Sequence, residues 1–66
     1  DYVTFTIKSG MTSYDVSVVL YQNGLIKDAK DFDTYIIKKG KARIIRTGTY
    51  TLPKNASYDE IVDAIT

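Results

Sequence analysis

Two stretches of this chain carry a strand pattern, and they stand at its opposite ends. In Tyr2-Val3-Thr4-Phe5-Thr6-Ile7-Lys8 the apolar residues Val3, Phe5 and Ile7 alternate with Tyr2, Thr4, Thr6 and Lys8. That is a strand with one buried face. The second is Arg46-Thr47-Gly48-Thr49-Tyr50-Thr51-Leu52-Pro53, rich in residues that suit a pleated, half-buried surface. Tyr50 and Leu52 share one side, and Pro53 lacks the donor needed to continue a ladder. If the two stretches pair antiparallel, everything between them is a closed insert.

The insert reads as two helices. Thr12 is an N-cap with Asp15 at the third helical position, and Met11 with Val16 fits a hydrophobic staple. This helix is expected from Ser13 to about Asn23, with Val16, Val19 and Leu20 on its apolar stripe and Gly24 ending it. Asp28 caps a second helix with Phe32, Tyr35 and Ile36 at helical spacing. Lys38 and Lys39 sit in its last turn and Gly40 ends it. Ile44, Ile45 and Arg46 lead into the second strand. Past Pro53, Ser57-x-x-Glu60 is a capping box for a short last helix with Ile61, Ala64 and Ile65 on one stripe. The expected fold is α+β: a two-stranded antiparallel sheet, two helices on one of its faces, and an extra short C-terminal helix. The expected core is Phe5, Ile7, Val16, Leu20, Ile26, Phe32, Ile36, Tyr50 and Leu52, with Tyr35 beside it.

Length and composition narrow the chemistry. A chain of 66 residues is one domain with a marginal core. It has no cysteine and no histidine, which excludes disulfides and zinc sites of the usual kind. No metal or other cofactor is expected. The net charge is +1, so no global field steers nucleic acid to it. No run is apolar and long enough to span a bilayer. The first residue is Asp1 rather than Met. We read this as a processed product or excised piece, with an anchor or second domain expected outside it.

Two segments carry a resemblance. Phe5-x-Ile7-x-x-Gly10-x-Thr12-x-x-x-Val16 resembles the opening of LysM domains, and Ile45-x-x-Gly48-x-Tyr50-x-Leu52-Pro53 resembles their close. LysM domains are small βααβ modules that bind N-acetylglucosamine polymers. The chain departs from them at Met11, where an acidic residue is usual, and at Ser13, where leucine is usual. Asn23-Gly24-Leu25-Ile26, Asp31-Phe32-Asp33-Thr34-Tyr35, and Gly48-Thr49-Tyr50 followed by the Ser57-x-x-Glu60-Ile61 helix are together similar to the LysM-like subdomain of the YceG-like family, the MltG-type endolytic lytic transglycosylases. In that family the subdomain precedes a catalytic part that uses a single glutamate on peptidoglycan. The resemblance therefore implies a non-catalytic module in the bacterial cell envelope, outside the cytoplasm and tethered by a membrane segment beyond this chain. In LysM domains the glycan lies between two loops, which correspond here to Ser9, Gly10, Met11 and Thr12 and to Gly40, Lys41 and Arg43.

The residues that could carry chemistry have structural readings beside the functional ones. Glu60 is the only glutamate, and the capping box explains its spacing from Ser57. Asp31 and Asp33 look like a paired carboxylate, but they fall in the first turn of a helix, where solvated acids are ordinary. Lys38, Lys39, Lys41, Arg43 and Arg46 form a basic patch, suited either to anionic polymers or to a solvated helix end and strand edge. Gly10 and Gly40 would let backbone amides approach a ligand, or serve as turn and cap residues. Tyr14 and Tyr21 fall off the apolar stripe and are expected to be exposed, suited to a sugar or a protein partner. Three functions follow: a glycan-binding peptidoglycan-associated module, a protein-interaction or oligomerisation domain of an envelope complex, or a fragment of an intact transglycosylase.

Overall fold

The computed structural model describes all residues from Asp1 to Thr66. The order is β1 (Tyr2–Ile7), α1 (Ser13–Gln22), α2 (Ala29–Lys38), β2 (Gly48–Pro53) and α3 (Tyr58–Ile65). The two strands pair antiparallel from Tyr2 opposite Pro53 to Ile7 opposite Gly48. The fold is α+β, a β-α-α-β unit closed by a C-terminal helix. No helix is long and apolar enough to cross a membrane.

Each helix begins where a side chain can satisfy its first free amides. Thr12 accepts from the Asp15 amide and Asp15 accepts from the Thr12 amide, both at 3.0 Å. Asp28 accepts from the Asp31 amide at 3.1 Å. Ser57 and Glu60 make the reciprocal pair at 3.1 and 2.8 Å. Glu60 is thus engaged at a helix cap.

The sheet has one dry face and one wet face. Phe5 and Ile7 are buried, with Val3, Tyr50 and Leu52 packed beside them. On the other face Thr4 bonds Thr51 at 2.9 Å and Thr6 bonds Thr49 at 3.1 Å. α1 packs against β1, α3 against β2, and α2 bridges the two helices. The core unites Phe5, Ile7, Val16, Leu20, Leu25, Ile26, Phe32, Ile36, Ile61, Val62 and Ile65.

The core differs from expectation in two ways. Tyr50, Leu52 and Tyr35 are only half-buried. β2 is an edge strand covered by one short helix, and the Tyr50 hydroxyl reaches out to donate to the Arg46 carbonyl at 2.6 Å. In their place α3 supplies three fully enclosed residues. The stretch read as leading into the strand is also not ladder: Arg46 donates its amide to the Ile65 carbonyl at 2.8 Å, tying it to α3 instead.

Two reciprocal tyrosine–aspartate bonds fasten α3 to α2. Tyr58 of α3 donates to Asp31 of α2 at 2.7 Å, while Tyr35 of α2 donates to Asp59 of α3. The rings meet edge on, Tyr58 standing 5.0 Å from Phe32 and 5.3 Å from Tyr35. Burial pushes the Tyr58 hydroxyl up to about 12, and the Asp31 carboxylate adds to the rise. The bond to Asp59 raises Tyr35 in the same way, and holds the Asp59 carboxyl below its usual range. A tyrosine donating to a carboxylate keeps its proton and keeps the acid ionised.

Two outcomes follow from this packing. Leu20→Ala and Ile61→Ala should each cost about 2–5 kcal/mol, read from urea midpoints, because both side chains are fully enclosed. An Ile61→Ala protein as stable as wild type would make α3 peripheral. Tyr58→Phe keeps the ring and loses the bond, and should cost about 0.5–1.5 kcal/mol. Because the folded value of Tyr58 lies above the ordinary 10, its contribution is full below pH 10 and is lost as pH rises toward 12. Stability measured from pH 9 to 12 should therefore fall less steeply in Tyr58→Phe than in wild type.

Candidate functional site

The first glycine loop follows β1 directly, at the Ile7–Gly48 end of the sheet, and the second lies between the end of α2 and the start of β2 at Gly48. In the first, Ser9, Gly10 and Thr12 are exposed and Met11 is half-buried against the core. Met11 is held locally: its amide donates to the Lys8 carbonyl at 3.4 Å and its sulfur accepts from the Lys8 amide at 3.5 Å. Thr12 spends its hydroxyl and amide on the helix cap. Gly10 has φ of +88°, and a Cβ built there would meet nothing within 4 Å. This is a left-handed position with open space in front of it.

The second loop begins as the close of α2. The Gly40 amide donates to Ile37 at 2.9 Å and the Lys41 amide to Ile36 at 3.1 Å. Gly40 has φ of +73° and likewise faces open space. Ile37, Gly40, Ala42 and Arg43 line a shallow concavity of about 190 Å³. The first loop does not line it, and no hydrogen bond joins the two loops. What they share is a set of unengaged donors. The amides of Ser9, Gly10, Ala42 and Arg43 donate to no protein acceptor.

The basic patch is exposed at Lys38, Lys39, Arg43 and Arg46 and half-buried at Lys41. Lys39 lies 3.7 Å from Asp59 and 5.6 Å from the centre of the Tyr35 ring. The other four have no carboxylate within 4 Å. The apparent carboxylate pair dissolves into two separate fastenings. Asp31 takes the Tyr58 hydroxyl, and Asp33 takes the Ser13 hydroxyl at 2.6 Å, pinning the start of α1 to α2. Both acids were expected to be merely solvated. Their partners lie 20 and 27 residues away, so helix position alone could not reveal them. No three acidic side chains gather where they could hold a metal.

A larger groove of about 440 Å³ runs between α1 and the start of α2. Tyr14, Val18, Tyr21 and Gln22 form one wall; Lys27 and Asp28 contribute to the other. Tyr14 is 48% and Tyr21 54% exposed, as their place off the apolar stripe implied. The sequence reading singled out these tyrosines but not the groove, since Lys27 and Asp28 reach it only through the turn between the helices.

Comparison with known proteins bears on the fold more than on the site. No model of a known protein family matches the chain. The chain is 39% identical over 61 residues to the uncharacterized protein YqzC of Bacillus subtilis (strain 168), a match over 92% of this chain and 40% of that protein. It also matches the crystal structure of a YceG-like protein, lmo1499 of Listeria monocytogenes, with a TM-score of 0.92 and 25% identity. That match takes in 98% of this chain and 21% of the other. The chain thus has the fold of one segment of a YceG-like protein, and through that segment it is related to the YceG-like family.

Proposed function

We propose that this chain is a non-catalytic, LysM-like module of a bacterial cell-envelope protein related to the YceG-like transglycosylases. In this reading it works outside the cytoplasm, tethered by a membrane segment beyond the chain. It binds an N-acetylglucosamine-containing glycan, peptidoglycan above all, at Ser9–Thr12 and Gly40–Arg43. The observation that carries the reading is the set of four free amides on the two loops. Gly10 belongs to the first pair and Gly40 lies two residues before the second, each with open space before it, so acetamido and hydroxyl oxygens can approach the backbone there. Such donors can serve neutral acetamido and hydroxyl oxygens, whereas the cations beside them favour anions.

An NMR titration with chitin oligomers should shift the amides of Ser9, Gly10, Ala42 and Arg43. Binding should be weak, because a small module orders a flexible sugar over little surface. It should change little with salt, since neutral hydrogen bonds are not screened. Shifts confined to the basic patch and abolished by salt would point to charge attraction and overturn the glycan site. Incubation with peptidoglycan should release no cleaved product, and Glu60→Gln should make no difference to that result.

The groove between α1 and α2 favours a second reading, a protein-interaction domain, because exposed tyrosines with polar tips suit an interface. Self-association should then appear in sedimentation and vanish in Tyr14→Ser/Tyr21→Ser. A monomer at millimolar concentration would remove this form of the reading.

A further inference from the structure

Charge is segregated along this chain. Residues 34–58 hold six basic side chains and no acidic one, while the remainder holds three basic and eight acidic. Five of the six lie between Lys38 and Arg46. Lys38, Lys41, Arg43 and Arg46 have no carboxylate partner, and the Lys39–Asp59 pair is exposed, where such pairs hold weakly. The same stretch carries the chain's only large aliphatic side chains left exposed, Ile37 at 54% and Ile44 at 53%. Ile37 shares the wall of one concavity with Arg43, and Ile44 follows Arg43 in the chain, its amide bonded back to Lys41 at 3.2 Å.

Unpartnered cations alone would suit any polyanion. Isoleucines beside them are a different matter, because a soluble polyanion leaves them in water. A bilayer with anionic headgroups uses both: the cations meet the surface charge and the apolar side chains enter the boundary beneath it. Long lysine and arginine stems allow this, lying along apolar surface while their heads stay hydrated. We propose that Ile37–Arg46 is a docking surface for an anionic lipid bilayer. This goes beyond the glycan reading and does not depend on it.

The test is co-sedimentation of the whole chain with vesicles of phosphatidylglycerol and phosphatidylcholine in equal parts, at low salt. The chain should pellet with these vesicles and stay in solution with phosphatidylcholine alone. Raised salt should release it. Ile37→Ser/Ile44→Ser should weaken binding about tenfold or more. Lys38→Gln/Arg43→Gln should weaken it about fivefold for each charge removed. All four side chains are exposed, and circular dichroism checks that the variants remain folded. No pelleting with anionic vesicles would overturn the proposal, as would equal pelleting with neutral ones. So would wild-type binding by the isoleucine variant together with displacement by inorganic polyphosphate, which would make the surface a polyanion site. The assay contains no glycan, so its outcome is independent of the chitin titration.

Discussion

The pairing of β1 with β2 is the constraint on which the remaining structure depends. It joins residues 2–7 to residues 48–53 and so closes the two long helices into one loop. The entropy of such closure rises only slowly with length, so a long insert is tolerated. Yet two strands alone are marginal in water. Their inner face, with Phe5 and Ile7, holds only when helices cover it, and without the sheet the core that the helices share loses Phe5 and Ile7. Strand pairing and helix packing therefore stand or fall together, as in a cooperative small domain.

α3 is part of that bargain rather than an appendage. It supplies Ile61, Val62 and Ile65 to the core, receives the Arg46 amide at its end, and is bonded to α2 in both directions through Tyr35–Asp59 and Tyr58–Asp31. The match to the YceG-like protein covers 98% of the chain, so it cannot be made by the β-α-α-β unit alone. A core this small leaves little margin, and one short helix is a large share of what encloses it.

Local signals in the sequence were sufficient for the architecture. The alternation in β1, the three caps and the glycines after the helices each act within a few residues, and the observed elements fall where those signals put them. What local reading missed was set by packing between distant residues. Nothing around Tyr58 distinguishes it from a solvated first-turn residue until α2 brings Asp31 opposite. Val62 lies off the stripe read for α3 and is nonetheless buried, α3 packing against both α2 and β2. The candidate loops were identified through resemblance, and only the hydrogen bonds of the folded chain distinguish their free amides from the Gly40 and Lys41 amides, which close α2. The groove flanked by Tyr14 and Tyr21 needed the turn between the helices, whose angle no periodicity records.

The hydrogen bonds at the chain's two ends have a mechanical consequence. Asp1 accepts the Lys54 amide beside the Tyr2–Pro53 end of the sheet, whereas Ile65 accepts the Arg46 amide near the Ile7–Gly48 end. The polypeptide thus arrives at one end of the sheet and departs near the other, on the order of 20 Å away along six strand residues. Tension applied through the two termini would first load the Arg46–Ile65 bond and the packing of α3, and while these hold it would draw β1 lengthwise along β2. Once α3 is pulled away, the load would enter the sheet at Tyr2 and Pro53, which face each other, and the ladder would open one bond after another.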